Sequence, residues 1–178
     1  MANDLGVLRK RHQRFSAHFT SGDLPGSPRL STIILTCVDS RVDPAHVLGL
    51  NLGDAYVMRN AGARISGTVV EDLAILTNLA GSPEKPFNPE LLIIRHTHCA
   101  TARLATKEVG HKIGKIVGLS DEQIAAMAIT DPAQSLRDDI QRLRYMPEVS
   151  DDLIVSGFVY DVSTGSLVEI VPSTTLAI

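Results

Sequence analysis

Two cysteines and one histidine are the residues of this sequence whose types and spacing best suit metal chemistry. Cys37 closes a short apolar stretch, His96 closes another, and Cys99, the second of the chain's two cysteines, follows His96 by three residues. A free cysteine is most often a buried core residue, so each thiol taken alone says little. Together, two Cys and one His form a standard catalytic zinc shell whose fourth position is open to water. We therefore predict a zinc site formed by these three side chains.

An aspartate and an arginine follow the first cysteine directly. The segment CVDSR places Asp39 and Arg41 two residues apart, just beyond an apolar stretch. A guanidinium can bind a carboxylate through two parallel hydrogen bonds, and this pairing favours the ionised form of the carboxylate. An ionised Asp39 could then accept a hydrogen bond from metal-bound water, which makes Asp39 and Arg41 candidate catalytic residues. The alternative is a salt bridge that only holds a loop.

A second histidine lies close to the predicted ligands. In an extended strand, His96 and His98 would point to the same face, and such a pair can itself bind a metal. We favour His96 with Cys99, because that choice uses both thiols of the chain. His98 is then expected at the rim of the site, either as a proton acceptor or as an inert residue.

Apolar stretches that alternate with helical patterns must position these side chains. The runs STIILTC (31–37) and LLIIRH (91–96) are typical of strands that a parallel sheet buries on both faces. Helices are predicted where apolar residues recur at helical spacing or where an Asp-Pro pair caps a first turn. The predicted strands cover residues 31–37, 54–59, 91–96, 153–162 and 166–172, and the predicted helices cover 3–19, 68–79, 120–127 and 132–145, with further helices starting after Asp43 and from Cys99.

This order of elements predicts the fold class. Strands that alternate with helices, with connections long enough for a crossover, indicate a single α/β domain with a mostly parallel central sheet flanked by helices. The last two strands flank the turn Ser163-Thr164-Gly165 and should form a C-terminal antiparallel hairpin. Ligands of such sheets gather at the carboxyl ends of the strands, where Cys37 and His96 are both expected.

Composition and charge exclude several classes of protein. The 178 residues suffice for one domain, 44% of them are hydrophobic, the net charge is −3 and the pI is about 6.0. Basic residues are scattered, which argues against nucleic acid as a partner. No stretch has the ~18–20 apolar residues of a membrane span, and the start of the chain has no apolar signal-peptide core. We therefore expect a cytoplasmic protein whose two cysteines form no disulfide.

Three short motifs make the sequence similar to a known family. The segments CVDSR (37–41), RNAG (59–62) and HTHC (96–99) resemble, in order and spacing, the signatures of the β-carbonic anhydrases. The resemblance spans a catalytic core at residues 30–172, preceded by an N-terminal helical arm and loop at residues 1–29. The family usually has Gly after its second metal-binding Cys, whereas this chain has Ala100.

The resemblance implies a zinc enzyme with one Zn²⁺ per subunit. It assigns metal binding to the two cysteines and His96, the ordering of the fourth ligand to Asp39 and Arg41, and substrate binding to Ala61 and Gly62. The implied reaction is hydration of carbon dioxide to bicarbonate by a metal-bound hydroxide. Relatives of this fold hydrolyse carbonyl sulfide or carbon disulfide, and the sequence leaves that alternative open because these linear molecules are open to the same attack.

The resemblance also bears on assembly. Family members pair through the N-terminal helix and a sheet edge, which implies a homodimer or a dimer of dimers. The helix at 3–19, with Phe15 and Phe19 on one face, is expected to cross a partner subunit. The alternative is that it packs on its own subunit.

Two further hypotheses remain at this point, and the first of them is non-enzymatic. In one, Asp39 joins the two cysteines and His96 as a fourth ligand, and a closed zinc site serves stability or regulation. In the other, the cysteines form a thiol redox pair. The redox hypothesis ranks last because the sequence has no C-x-x-C arrangement.

Overall fold

A computed structural model describes residues 4–80 and 86–177 of the chain. The strands are β1 (Thr32–Cys37), β2 (Tyr56–Asn60), β3 (Glu90–His96), β4 (Ile154–Tyr160) and β5 (Leu167–Thr175). The helices are α1 (Asp4–Ala17), α2 (Pro44–Val47), α3 (Gly67–Leu79), α4 (Lys107–Val117), α5 (Asp121–Ala126) and α6 (Pro132–Leu143), with a 3-10 helix at Ala100–Ala105. The first predicted residue of the N-terminal helix, residue 3, lies outside the described residues.

All five strands belong to one sheet, in the order β2-β1-β3-β4-β5. β1 pairs in parallel with both β2 and β3, β3 pairs in parallel with β4, and β5 runs antiparallel to β4. The predicted α/β class, the mostly parallel sheet and the C-terminal hairpin are therefore confirmed. β1 and β3 lie inside the sheet, which explains why their sequences are apolar almost throughout.

Local capping interactions start the helices where the sequence predicts them. Asp43 accepts a hydrogen bond from the Ala45 amide and precedes Pro44 at the first position of α2. Asp131 accepts from the amides of residues 133 and 134 at the start of α6, where Pro132 takes the equivalent place. In both cases the carboxylate satisfies amide groups that have no partner inside the helix.

The second strand starts later than predicted. β2 begins at Tyr56 because Asp54 is used by a turn: its carboxylate accepts from the Asn51 amide at 2.9 Å and from the Arg29 side chain at 3.0 Å. The segment after Cys99 also differs from the prediction, since it forms a 3-10 helix before α4 begins at Lys107.

Apolar side chains cover both faces of the sheet. The larger core joins strand residues such as Ile33 and Ile93 to α3 and α6, and a smaller core around Ile34 and Ile94 lies on the other face. Alternate residues of β1 and β3 thus point into different cores, as strand geometry requires. Among the described residues, no helix combines the length and the apolar character needed to cross a membrane.

Helix α1 differs from the other long helices. None of its residues is buried, and Phe15 and, just after the helix, Phe19 are 52% and 47% exposed. The two rings contact each other, with centroids 5.5 Å apart. The described part of the chain therefore leaves the apolar residues of this helix uncovered.

Candidate metal centre

The three predicted ligands come together at one edge of the sheet. Cys37 is the last residue of β1, His96 is the last residue of β3, and Cys99 lies in the turn that follows. Because β1 and β3 are adjacent and parallel, their carboxyl ends meet at the same edge. The two sulfurs and a ring nitrogen of His96 lie within 4.8 Å of one another, and all three side chains are buried. This Cys-His-Cys group could hold a metal ion.

The imidazole of His96 is oriented by the backbone of the next residue. Its Nδ1 lies 2.9 Å from the carbonyl oxygen of Thr97, and because a carbonyl oxygen only accepts, Nδ1 carries the proton. In the neutral ring the lone pair then belongs to Nε2. This atom is buried and has no hydrogen-bond partner among the residues that the structure describes. Buried polar atoms rarely stay unpaired. A lone pair on Nε2 that faces two thiols is suited to bind a cation held between the nitrogen and the two sulfurs.

The thiols of Cys37 and Cys99 lie 4.0 Å apart and influence each other's ionisation. The hydrogen bond from the Cys37 thiol lowers the pKa of Cys99, and the same hydrogen bond, together with burial, raises the pKa of Cys37. The Gly62 amide donates to the Cys37 sulfur at 3.3 Å, and the Thr101 hydroxyl lies 3.0 Å from the Cys99 sulfur. A bound divalent cation would favour the thiolate form of both cysteines in place of these opposite pKa shifts, because a coordinating thiol is deprotonated.

The charge of the thiols also acts on the imidazole. Burial lowers the pKa of His96, but the nearby Cys99 sulfur with its negative charge, the Thr97 carbonyl oxygen and the Asp39 carboxylate together outweigh burial and raise the pKa. The group therefore attracts positive charge, whether a proton or a metal ion. Thiolate and imidazole donors in this combination match the preference of zinc.

Asp39 and Arg41 form the ion pair that the sequence predicts. The guanidinium donates to Asp39 Oδ1 from Nε at 2.9 Å and to Oδ2 from Nη2 at 2.7 Å, and the Arg41 amide donates to Oδ1 at 2.9 Å. These hydrogen bonds hold the pKa of Asp39 well below its usual range. Asp39 Oδ2 lies 3.9 Å from His96 Nε2, so an ionised carboxylate borders the Cys-His-Cys group.

The structure does not bring His98 into the group. β3 ends at His96, and His98 has a left-handed backbone with φ of 55° and an exposed side chain. The two histidines therefore do not share a strand face. The carbonyl oxygen of His98 instead accepts from Arg41 Nη2 at 3.2 Å, which ties this turn to the ion pair.

Ala61 and Gly62 lie in the turn after β2, close to the first sulfur. Ala61 is exposed, whereas Gly62 is buried and has a left-handed backbone with φ of 89°. An added Cβ at Gly62 would lie 2.5 Å from Cδ1 of Ile129, so glycine is required by both the backbone and the space. From this buried turn the Gly62 amide donates to the Cys37 sulfur at 3.3 Å.

Three further residues support the group, although the sequence alone assigned them no role. Arg59 donates to the carbonyl oxygens of Cys37 at 3.0 Å and Asp39 at 2.8 Å, and its Nη1 lies 3.1 Å from the Asp43 carboxylate. The Asn60 side chain accepts from the Arg64 amide and donates to the Arg64 carbonyl oxygen, and the Thr101 hydroxyl contacts the Cys99 sulfur. The motif RNAG contains the first two, so its sequence is the signal that could have found them.

Ala100, which stands where the family usually has Gly, has a local explanation. Ala100 is the first residue of the 3-10 helix Ala100–Ala105 and is exposed. A methyl group is tolerated at such a position, because an ordinary helical conformation needs no glycine.

The fold and this group define a class: an α/β protein with a Cys-His-Cys group and an Asp–Arg pair at the carboxyl edge of its sheet. Residues 32–167 match the family model described as carbonic anhydrase. Beta-carbonic anhydrase 1 of Mycobacterium tuberculosis is 30% identical over 151 residues, which cover 85% of this chain and 88% of the relative. A carbonic anhydrase structure from Streptococcus mutans superposes with a TM-score of 0.78 at 30% identity, covering 96% of this chain and 98% of the other.

A relative with a different named activity is also found. The carbon disulfide hydrolase of an Acidianus species is 24% identical over 181 residues, which cover 89% of this chain and 84% of the relative. The chain belongs to the β-carbonic anhydrase family, which includes lyases and hydrolases.

Proposed function

We propose that this protein is a zinc enzyme that hydrates carbon dioxide to bicarbonate. The observation that supports this most directly is the unpaired, buried Nε2 of His96, which faces two thiols and lies 3.9 Å from the Asp39 carboxylate. Cys37, His96 and Cys99 would hold the ion. When bound, zinc supplies the Lewis acidity that makes water nucleophilic near neutral pH.

Asp39 is proposed to orient the attacking water. Three hydrogen bonds from Arg41 keep its carboxylate ionised, so it acts as an acceptor and not as a proton store. Oδ2, which carries one of these bonds, has accepting capacity left for a second donor. A water molecule that donates a hydrogen bond to Oδ2 would direct a lone pair at the substrate carbon. The products are bicarbonate and one proton, which leaves to solvent.

The hydrolysis of carbonyl sulfide or carbon disulfide is the second candidate function. It is supported by the match to a carbon disulfide hydrolase over most of both chains. The same attack on carbonyl sulfide, followed by cleavage of its C–S bond, would give hydrogen sulfide and carbon dioxide. Turnover of carbon dioxide, carbonyl sulfide and carbon disulfide by one purified preparation decides between these activities. Faster hydration of carbon dioxide supports our proposal, and efficient release of hydrogen sulfide without hydration would overturn it.

The closed-site hypothesis makes a different prediction. If Asp39 were the fourth ligand at every pH, the protein would hold zinc and hydrate nothing between pH 6 and 9. The bidentate pairing of Asp39 with Arg41 argues against this arrangement, since zinc coordination by Asp39 would compete with the two hydrogen bonds from the guanidinium. Zinc content without hydration of carbon dioxide and without hydrolysis of carbonyl sulfide or carbon disulfide across this pH range would establish the closed site.

Two histidine variants, a test and its control, examine the proposed metal binding. His96→Gln should lose most of the bound zinc, because it removes the lone pair that faces the thiols. His46→Gln makes the same change at an exposed residue of α2 and should keep the full zinc content. Equal zinc contents in both variants would contradict the proposed ligand set. Cys37→Ser, which should also lose zinc, tests the redox hypothesis, under which the metal content is unchanged.

We further propose a homodimer formed through helix α1. Its uncovered apolar side chains include Leu5, Leu8 and Phe15, and a surface of this kind is usually covered by a partner. Sedimentation of a Phe15→Ser, Phe19→Ser variant should give a monomer, where the unmodified protein gives a dimer. A dimer that persists in the variant would show that another surface pairs the subunits. Cytoplasmic localisation stays a prediction from the sequence.

A further inference from the structure

Asp139 of helix α6 is a buried carboxylate that pairs with several cations. Its side chain is 1% exposed and accepts hydrogen bonds from the guanidinium groups of Arg95 and Arg142. The Nε of Arg64 lies 3.6 Å away, and the Ile65 amide donates to Asp139 Oδ2 at 3.2 Å. A buried charge of this kind requires close partners, and removing it would leave its partners uncompensated.

One set of these bonds holds the strand that carries His96. Arg95 directly precedes His96 in β3, and its guanidinium is fully buried against α6. It donates to Asp139 and to the Ser135 hydroxyl, one helical turn earlier. Burial and the neighbouring Arg64 and Arg142 charges lower the pKa of Arg95 to about 10, so the group stays protonated at neutral pH. The end of β3 is therefore tied to α6 by a charged contact.

The other set holds the loop that reaches Cys37. Asp139 accepts from the Ile65 amide and lies near the Arg64 guanidinium. At the other end of the loop, the Asn60 side chain accepts from the Arg64 amide at 2.8 Å and donates to its carbonyl oxygen at 2.7 Å. Between these two anchors lies Gly62, whose amide donates to the Cys37 sulfur. One carboxylate thus contacts the supports of two different ligands.

We propose that Asp139 is a positioning residue for the metal centre, because it fixes the loop at Gly62 relative to the end of β3. The proposal rests on the proposed function in one respect, namely that the bound ion is zinc. Asp139 does not contact the Cys-His-Cys group and acts through Arg95 and through residues 60–65. Groups that hydrogen-bond directly to metal ligands typically contribute about 10- to 100-fold to metal binding, and Asp139, one contact further from the ligands, is expected near the lower end of this range.

The adjacent residue provides a matched control. Asp139→Asn removes the buried charge, whereas Asp138→Asn makes the same change at an exposed side chain whose contact is a hydrogen bond from Gln134 at 2.9 Å. Zinc affinity is measured by competition with a chelator, under conditions where circular dichroism shows each protein to be folded. We expect zinc binding about tenfold weaker or more in Asp139→Asn and within about twofold of the unmodified protein in Asp138→Asn.

A purely structural role gives a different result. In that case Asp139→Asn lowers the free energy of unfolding, but the folded protein binds zinc as tightly as Asp138→Asn does, and the proposal is overturned. The ligand-field spectrum of bound Co²⁺ is a second measure of ligand geometry. We expect it to change in Asp139→Asn and to stay unchanged in Asp138→Asn.

A second variant covers the case in which Asp139→Asn does not fold. Arg64→Gln keeps Asp139 paired with Arg95 but loosens the loop, because Arg64 also donates to the Ala126 carbonyl oxygen at 2.8 Å. It should weaken zinc binding in the folded protein, and unchanged binding would overturn the proposal. Zinc binding by the unmodified protein distinguishes a failure of the proposed function from a failure of the role proposed for Asp139. If it binds no zinc, the proposed function fails and this inference fails with it, whereas tight binding in every variant refutes this inference alone.

Discussion

Replacing Gly62 by alanine should strain the loop beside the Cys37 sulfur. The added Cβ would lie 2.5 Å from Cδ1 of Ile129 and 3.3 Å from the Thr101 hydroxyl. Gly62 also has φ of 89°, a left-handed conformation that costs a non-glycine residue about 1–2 kcal/mol. Ile129 is 3% exposed, so its side chain can rotate away only by displacing other buried atoms.

A second glycine separates the two costs. Gly118 ends α4 with a left-handed φ of 74°, and an added Cβ there meets nothing within 4 Å. Gly118→Ala therefore carries the backbone cost alone, whereas Gly62→Ala adds the overpacking. Overpacking of a buried site typically costs about 1–3 kcal/mol, and we expect Gly62→Ala to be more destabilising than Gly118→Ala by this amount.

Urea unfolding of the metal-free proteins measures both changes. A compensating variant sharpens the test, because Ile129→Val removes Cδ1, the atom that the new Cβ would meet. The double variant Gly62→Ala, Ile129→Val should recover part of the loss, which a double-mutant cycle reports as coupling between the two sites. Equal losses in Gly62→Ala and Gly118→Ala, with no coupling to Ile129, would refute the reasoning.

Three further predictions concern the supports of the site and the fold. Arg59→Met removes the hydrogen bonds from Arg59 to the loop after β1 and should lower the free energy of unfolding by about 1–3 kcal/mol. Arg103→Met, at an exposed residue, should change this free energy little. An equal loss in both variants would contradict a stabilising role of the Arg59 hydrogen bonds. The Asn51 amide and Arg29 lower the pKa of Asp54, so Asp54→Asn should reduce stability at pH 7. The difference in stability should shrink as the pH falls below about 4, where the carboxyl of the unfolded chain is protonated. A loss of stability that is independent of pH in urea unfolding would contradict this role of the Asp54 charge. A chelator should lower the Tm of the unmodified protein but not that of His96→Gln, because an ion that binds only the folded state stabilises it; parallel shifts in calorimetry would speak against a bound metal.

The sequence by itself predicted most elements of the fold, because their signals are local. The apolar, β-branched run before Cys37 indicates a buried strand from its own residues, and Asp43 and Asp131 cap helices through amides two or three residues away. The convergence of Cys37, His96 and Cys99 could be predicted as well. Each of these three residues lies at or just beyond the end of a strand, and parallel strands present their carboxyl ends at one edge.

Only the tertiary structure decided which distant groups support that edge. Asp139 meets Arg95 across 44 residues and Ile65 across 74, and no local pattern predicts a pairing that depends on how α6 packs on the sheet. The same holds for the contact of Ile129 with Gly62 and for the unpaired Nε2 of His96, since both depend on neighbours from other elements. Local propensities act over a few residues, whereas the burial of a charge or a lone pair is set by the whole packed structure.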